Sequence, residues 1–77
     1  ENLTGYQLNF LRAIIDGVSK EFTTKNVLEK YNLGTSSNVA IVKRALIKKE
    51  LIDIEKKEIV ISDIVLKEWL KREFKML

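Results

Sequence analysis

Apolar residues recur along this chain at two different spacings, and the switch between them divides it into elements. Phe10, Leu11, Ile14, Ile15 and Val18 follow steps of one, three and four, which puts them on one broad face of a helix over about residues 4–16. Thr4 followed by Gln7 reads as a capping box, and Gly17 supplies a left-handed residue to end the helix. A second helix is predicted over about residues 24–31, capped by Thr23 or Thr24, with Phe22 just before the cap and Val27, Leu28 and Tyr31 inward. Asn32, Leu33 and Gly34 make a short turn. Thr35, Ser36 and Ser37 then offer caps for a third helix reaching about residue 49, whose inner face is Val39, Val42 and Leu46.

Beyond residue 50 the spacing shortens. Leu51-Ile52-Asp53-Ile54-Glu55, two lysines and Glu58-Ile59-Val60-Ile61-Ser62 form two β-branched runs around a polar break, which predicts a β-hairpin. A tight hairpin turn favours Gly or Asn, and neither is present, so a longer loop over residues 55–58 is expected. Helical spacing returns from Asp63, with Leu66, Trp69, Leu70 and Phe74 on the inner face. Trp69 reads as a core anchor, and Tyr6 and Tyr31 as core-edge residues. The predicted core is Phe10, Leu11, Ile14, Val27, Leu28, Val39, Val42, Leu46, Leu66, Trp69 and Leu70. Met76 and Leu77 are apolar on a basic tail, suited to packing back on the domain or docking on a neighbour.

Composition narrows the function more than the fold. With 77 residues, 45% apolar and 32% charged, the chain fits one small globular domain, residues 1–77. It contains neither cysteine nor histidine, which removes disulfides, thiolate or imidazole metal sites, and the Ser/His and Cys/His nucleophile pairs. We therefore expect no catalytic residues, no metal and no cofactor in this domain. No run approaches the roughly 18 apolar residues of a membrane span, and no signal peptide opens the chain, so a cytoplasmic setting without membrane contact is expected. The first residue is Glu1 rather than methionine, and we expect a piece of a longer protein.

Helix, helix, tight turn, capped helix and hairpin is the plan of a winged helix-turn-helix, an α+β fold that is mostly α: a three-helix core, a two-stranded wing and a C-terminal helix. The stretch FTTKNVLEKYNLGTSSNVAIVKRALIKKELI, residues 22–52, resembles that family closely, down to the basic, apolar run Lys48-Lys49-Glu50-Leu51-Ile52 leading into the wing. Together with the opening YQLNFLRAIIDGVSKEFTTKNVLEKYNLG, the centre SSNVAIVKRALIKKELIDIE and the ending IVLKEWLKREF, the chain is similar to the C-terminal winged-helix domain of prokaryotic, archaeal-type AAA+/STAND ATPases. The resemblance implies an upstream ATPase domain in the same chain as a partner, with ATP bound there. In the residues at hand none of Gly5, Gly17 and Gly34 precedes Lys-Ser or Lys-Thr, so a phosphate-cradling Walker loop is absent.

Charge locates the candidate interface. The net charge is +3, and residues 35–50 carry Lys43, Arg44, Lys48 and Lys49 against Glu50 alone, while residues 1–34 balance to zero. Such a concentration suits the phosphates of double-stranded DNA, and equally suits the negative end of a helix dipole. Opposite Val39, Val42 and Leu46 the helix turns out Ser37, Ala40, Ile41, Arg44 and Lys48. Ser36, Ser37 and Asn38 could reach base edges or cap the helix, and Ile41 could touch only a thymine methyl. Winged-helix readers often carry an arginine or a polar residue where Ile41 and Ala45 stand, so base-specific reading is not expected. Lys56 and Lys57 at the wing tip could meet phosphate, or stay solvated between Glu55 and Glu58. Two functions remain open on this reading. One is DNA binding through phosphate contacts; the other is a protein-interaction or regulatory module packing on the ATPase or a partner.

Overall fold

The computed structural model describes residues 3–75, with side chains to residue 74; the expectations for Met76 and Leu77 fall outside these residues. Helix α1 spans Gly5–Ile15, α2 Lys25–Lys30, α3 Ser36–Lys48 and α4 Ile64–Lys75, with strands β1 (Ile52–Glu55) and β2 (Glu58–Ile61) between α3 and α4.

Each helix start is fixed by one oxygen-bearing side chain. The Gln7 N–H donates to Thr4 Oγ1 at 3.1 Å while the Thr4 N–H donates to Gln7 Oε1 at 3.1 Å, a complete capping box. Thr24 caps α2 and Thr35 caps α3, accepting from Val27 N–H and Asn38 N–H. Asp63 Oδ1 accepts from Leu66 N–H at 3.0 Å to open α4. Ser36, Ser37 and Asn38 thus lie inside α3 rather than at its cap, which corrects the expectation that one of them caps it.

The first three helices end alike. After each, a left-handed residue lets the next N–H reach back to the helix: Val18 to the Ala13 carbonyl, Leu33 to Leu28, and Leu51 to Leu46. The left-handed residues are Gly17, Asn32 and Glu50, in falling order of ease for that conformation. The apolar residues that follow, Leu33 and Leu51, are buried, so the termination that stops each of these helices also seats a core residue.

The wing is an antiparallel pair in the register Ile52↔Ile61, Asp53↔Val60, Ile54↔Ile59 and Glu55↔Glu58. Its tip is a two-residue turn in which Lys56 (φ 52°) and Lys57 (φ 68°) both hold left-handed backbone. This corrects the longer loop expected from the missing Gly and Asn. Ile52, Ile59 and Ile61 are buried, and a slip of one residue would turn that whole face to solvent. That loss exceeds the roughly 1–2 kcal/mol per residue of left-handed strain, so the register prevails. Ser62 anchors the base of the hairpin, donating from its hydroxyl to the Glu50 carbonyl and from its N–H to the Leu51 carbonyl. On the other side, the Ile59 N–H donates to the Ser19 carbonyl at 2.8 Å and draws the segment after α1 against the wing.

The core gathers Phe10 and Leu11 of α1, Val39, Val42 and Leu46 of α3, Leu70 of α4, and residues of the turns and wing. Phe10 stacks on Phe22 with ring centroids 4.6 Å apart. Ile14, Val27, Leu28 and Leu66, also expected inside, are half-buried against this cluster, while Tyr31 is more deeply buried than an edge residue and donates its hydroxyl to Asp16. Trp69 departs from expectation: it is 42% exposed, not a core anchor. Leu66, Leu70 and Phe74 pack in or against the core cluster, and Trp69, on an adjoining part of the helix surface, is left partly in water.

Candidate nucleic-acid interface

Helix α3 is held from three sides, which settles where its remaining face points. Val39, Val42 and Leu46 are buried, and α3 packs on α1 and β1. At its C-terminal end the Lys49 ammonium donates to Gln7 Oε1 at 3.3 Å, tying it to the start of α1. At its N-terminal end the Asn38 amide donates to the Leu33 carbonyl at 2.8 Å, bracing the turn between α2 and α3. Gly34 sits in that turn at φ 81°, where an added Cβ would come within 3.2 Å of the Asn38 amide nitrogen and 3.4 Å of the Tyr6 ring. Asn38 is therefore half-buried and engaged within the fold, rather than displayed beside Ser36 and Ser37.

Ser37, Ile41, Arg44 and Lys48 form one stripe along the solvent side of α3, all exposed, Ile41 to 60%. Arg44 and Lys48 stand one turn apart in its C-terminal half, and Ser36 and Ser37 lie on its first turn. The stripe offers two positive charges, one hydroxyl and one apolar side chain, with the Ser36 hydroxyl beside it on the first turn. That set can meet phosphate oxygens and one apolar group, and it provides no acid–base pair. Among the described residues no group of three or more His, Cys, Asp or Glu is placed to hold a metal. Nor is any helix among them long and apolar enough to cross a membrane.

At the wing tip, strand alternation separates charges that adjoin in sequence. Glu55 and Glu58 are directly paired, on the strand face opposite that of Ile54 and Ile59. Lys57 borders a groove on the Ile54–Ile59 side, between the wing and α3, together with Lys20 and Lys43. Lys20 was missed from the sequence, and Lys43 was counted only in the charge of residues 35–50, because their proximity to Lys57 exists only in the folded chain. Lys56, the other residue of the turn, is exposed.

A second surface is apolar. Ile64 and Val65 of α4 are 75% and 80% exposed, and Trp69 lines a shallow depression with Leu3, Leu8 and Leu66. It lies on α4 and the start of α1, away from the α3 stripe.

Residues 1–72 match the model of a family described as a probable winged helix domain. No curated protein and no solved structure matches the chain. The chain belongs to that winged helix family, in agreement with its helices and two-stranded wing.

Proposed function

We propose that this winged helix domain is a non-catalytic module that binds double-stranded DNA, mainly through phosphates met by α3, and that it serves a longer prokaryotic ATPase of the AAA+/STAND type. The observation that carries the DNA reading is the exposed stripe of Ser37, Ile41, Arg44 and Lys48 on the one face of α3 that the core leaves uncovered. Phosphate recognition needs cations on an accessible, rigid element, and α3 supplies both. Ile41 limits direct reading of bases, so contacts to the backbone dominate and sequence preference is slight. The ATPase context rests on the resemblance of the chain's opening, centre and ending to such proteins. The glycines support its non-catalytic part, since Gly17 and Gly34 hold positive φ in turns of the helical core rather than in a phosphate loop.

With so few cations the affinity is weak, with a dissociation constant of about 10⁻⁴–10⁻⁶ M at physiological salt, falling by about 0.9 in log–log slope per phosphate neutralised. Titrating a labelled duplex across salt concentrations tests this. The Arg44→Ala/Lys48→Ala variant should flatten the slope by about two while retaining the fold. Equal slopes for variant and wild type, or no binding by either at low salt, would pass the function to the second reading, a protein contact. That reading is favoured by one observation, the 60% exposure of Ile41 in the middle of the stripe.

A further inference from the structure

A groove of about 270 Å³ runs between the segment after α1, the middle of α3 and the wing, and each of the three contributes one lysine to its border: Lys20, Lys43 and Lys57. Its floor is apolar, with Phe22, Val39 and Ile59 all buried. The walls are fixed. The segment bearing Lys20 is held to the wing by the Ile59 N–H to the Ser19 carbonyl, 2.8 Å, and Lys43 adjoins Val42 of the α3 core face. Lys43 is half-buried, as a side chain is when it lays its methylenes along a wall and keeps its ammonium in water. Glu21 is the one carboxylate on the border, so the groove carries an excess of two positive charges. Glu55 and Glu58 do not line it, being paired on the opposite strand face.

We infer that this groove seats a phosphate of the DNA backbone, with Lys20, Lys43 and Lys57 meeting it from three sides, as an anchor additional to the Arg44–Lys48 stripe. The inference rests on the DNA reading of α3. Ammonium groups on flexible stems act as point charges, without the planar fork that matches one oxygen pair, so the anchor adds affinity and salt dependence but no sequence preference. It also sets the orientation of the duplex, because a strand bound to the stripe and the groove together must cross from α3 to the wing.

Lys57 makes a discriminating test because it occupies left-handed backbone, φ 68°, that glycine adopts without strain. Lys57→Gly should therefore raise the melting temperature while flattening the salt slope of duplex binding by a share of the about 0.9 that one phosphate contributes. An impaired fold would instead lower the melting temperature. Lys20→Gln/Lys57→Gly should remove most of that about 0.9, and Lys20→Gln alone, at an exposed position, a part of it. If these variants keep the wild-type slope while Arg44→Ala/Lys48→Ala flattens it, the groove is overturned and the DNA reading stands. If they flatten it and the α3 pair does not, the groove holds phosphate by itself, the stripe passes to the protein-contact reading, and the groove as an anchor additional to the stripe is overturned. If the wild-type chain binds no duplex at low salt, both fall together.

Discussion

Helices α3 and α4 are nearly equal in length, 13 and 12 residues, and both are amphipathic, yet they leave opposite surfaces in water. The first buries Val39, Val42 and Leu46 and turns cations outward. In the second, among the described residues, only Leu70 is equally buried, and Ile64, Val65 and Trp69 remain exposed. The difference follows from neighbours. Helix α3 has α1 on one side and β1 on another, which cover Val39, Val42 and Leu46 while Ile41 and Ile47 stay exposed; α4 packs mainly on α1, which leaves Ile64, Val65 and Trp69 exposed. The outward face of α3 thus centres on its cations around Ile41, whereas α4 sets Lys67, Lys71 and Arg72 on a helix that also exposes Ile64, Val65 and Trp69.

The largest expected effect lies in the covered helix. Leu46→Ala should cost about 2–5 kcal/mol in denaturant unfolding, the range for truncating a fully buried leucine. Trp69→Ala should cost no more than about 1 kcal/mol, closer to a surface substitution. Equal losses at the two positions would mean that α4 is as well covered as α3. Next come the caps: Thr35→Ala on α3 and Asp63→Ala on α4 should each cost about 1 kcal/mol, irrespective of how the helices are packed, because the lost hydrogen bond is local. Smaller still, and of opposite sign, is Glu50→Gly at the end of α3. Relief of its left-handed strain, φ 61°, offset by the entropy of glycine, should stabilise by roughly 0.5 kcal/mol and raise the melting temperature by a few degrees. Least of all, Val65→Ser on exposed α4 should stay within about 0.5 kcal/mol; a greater loss would reveal a contact covering that surface.

What the sequence discloses is local, and what it withholds is tertiary. Thr4, Gln7 and Gly17 mark the ends of α1 because capping depends on residues within one turn, and the inner face of α3 follows from spacing alone. Trp69 shares the helical spacing of Leu66 and Leu70, so periodicity places it inside; spacing does not tell how much of the apolar arc of α4 the rest of the fold covers, and Trp69 stays 42% exposed. The wing turn is tight despite lacking Gly and Asn, because buried Ile52, Ile59 and Ile61 fix a register that local turn preference opposes. In the candidate interface, the exposure of Arg44, Lys48, Ser37 and Ile41 was readable from the helix face. Asn38 was not, since its bond to the Leu33 carbonyl depends on the shape of the turn. Lys20 and Lys57 meet at one groove only because β2 binds the Ser19 carbonyl.

The central claim is that α3, and not α4, is the binding face. Amide chemical-shift mapping of the isotope-labelled chain with a short duplex at low salt addresses it directly, since every described helix is observed at once. The account predicts shifts that saturate along Ser37, Ile41, Arg44 and Lys48, extending to Lys20 and Lys57, with Val65 and Trp69 unmoved. Shifts confined to Val65 and Trp69, or none anywhere on the chain, would contradict it.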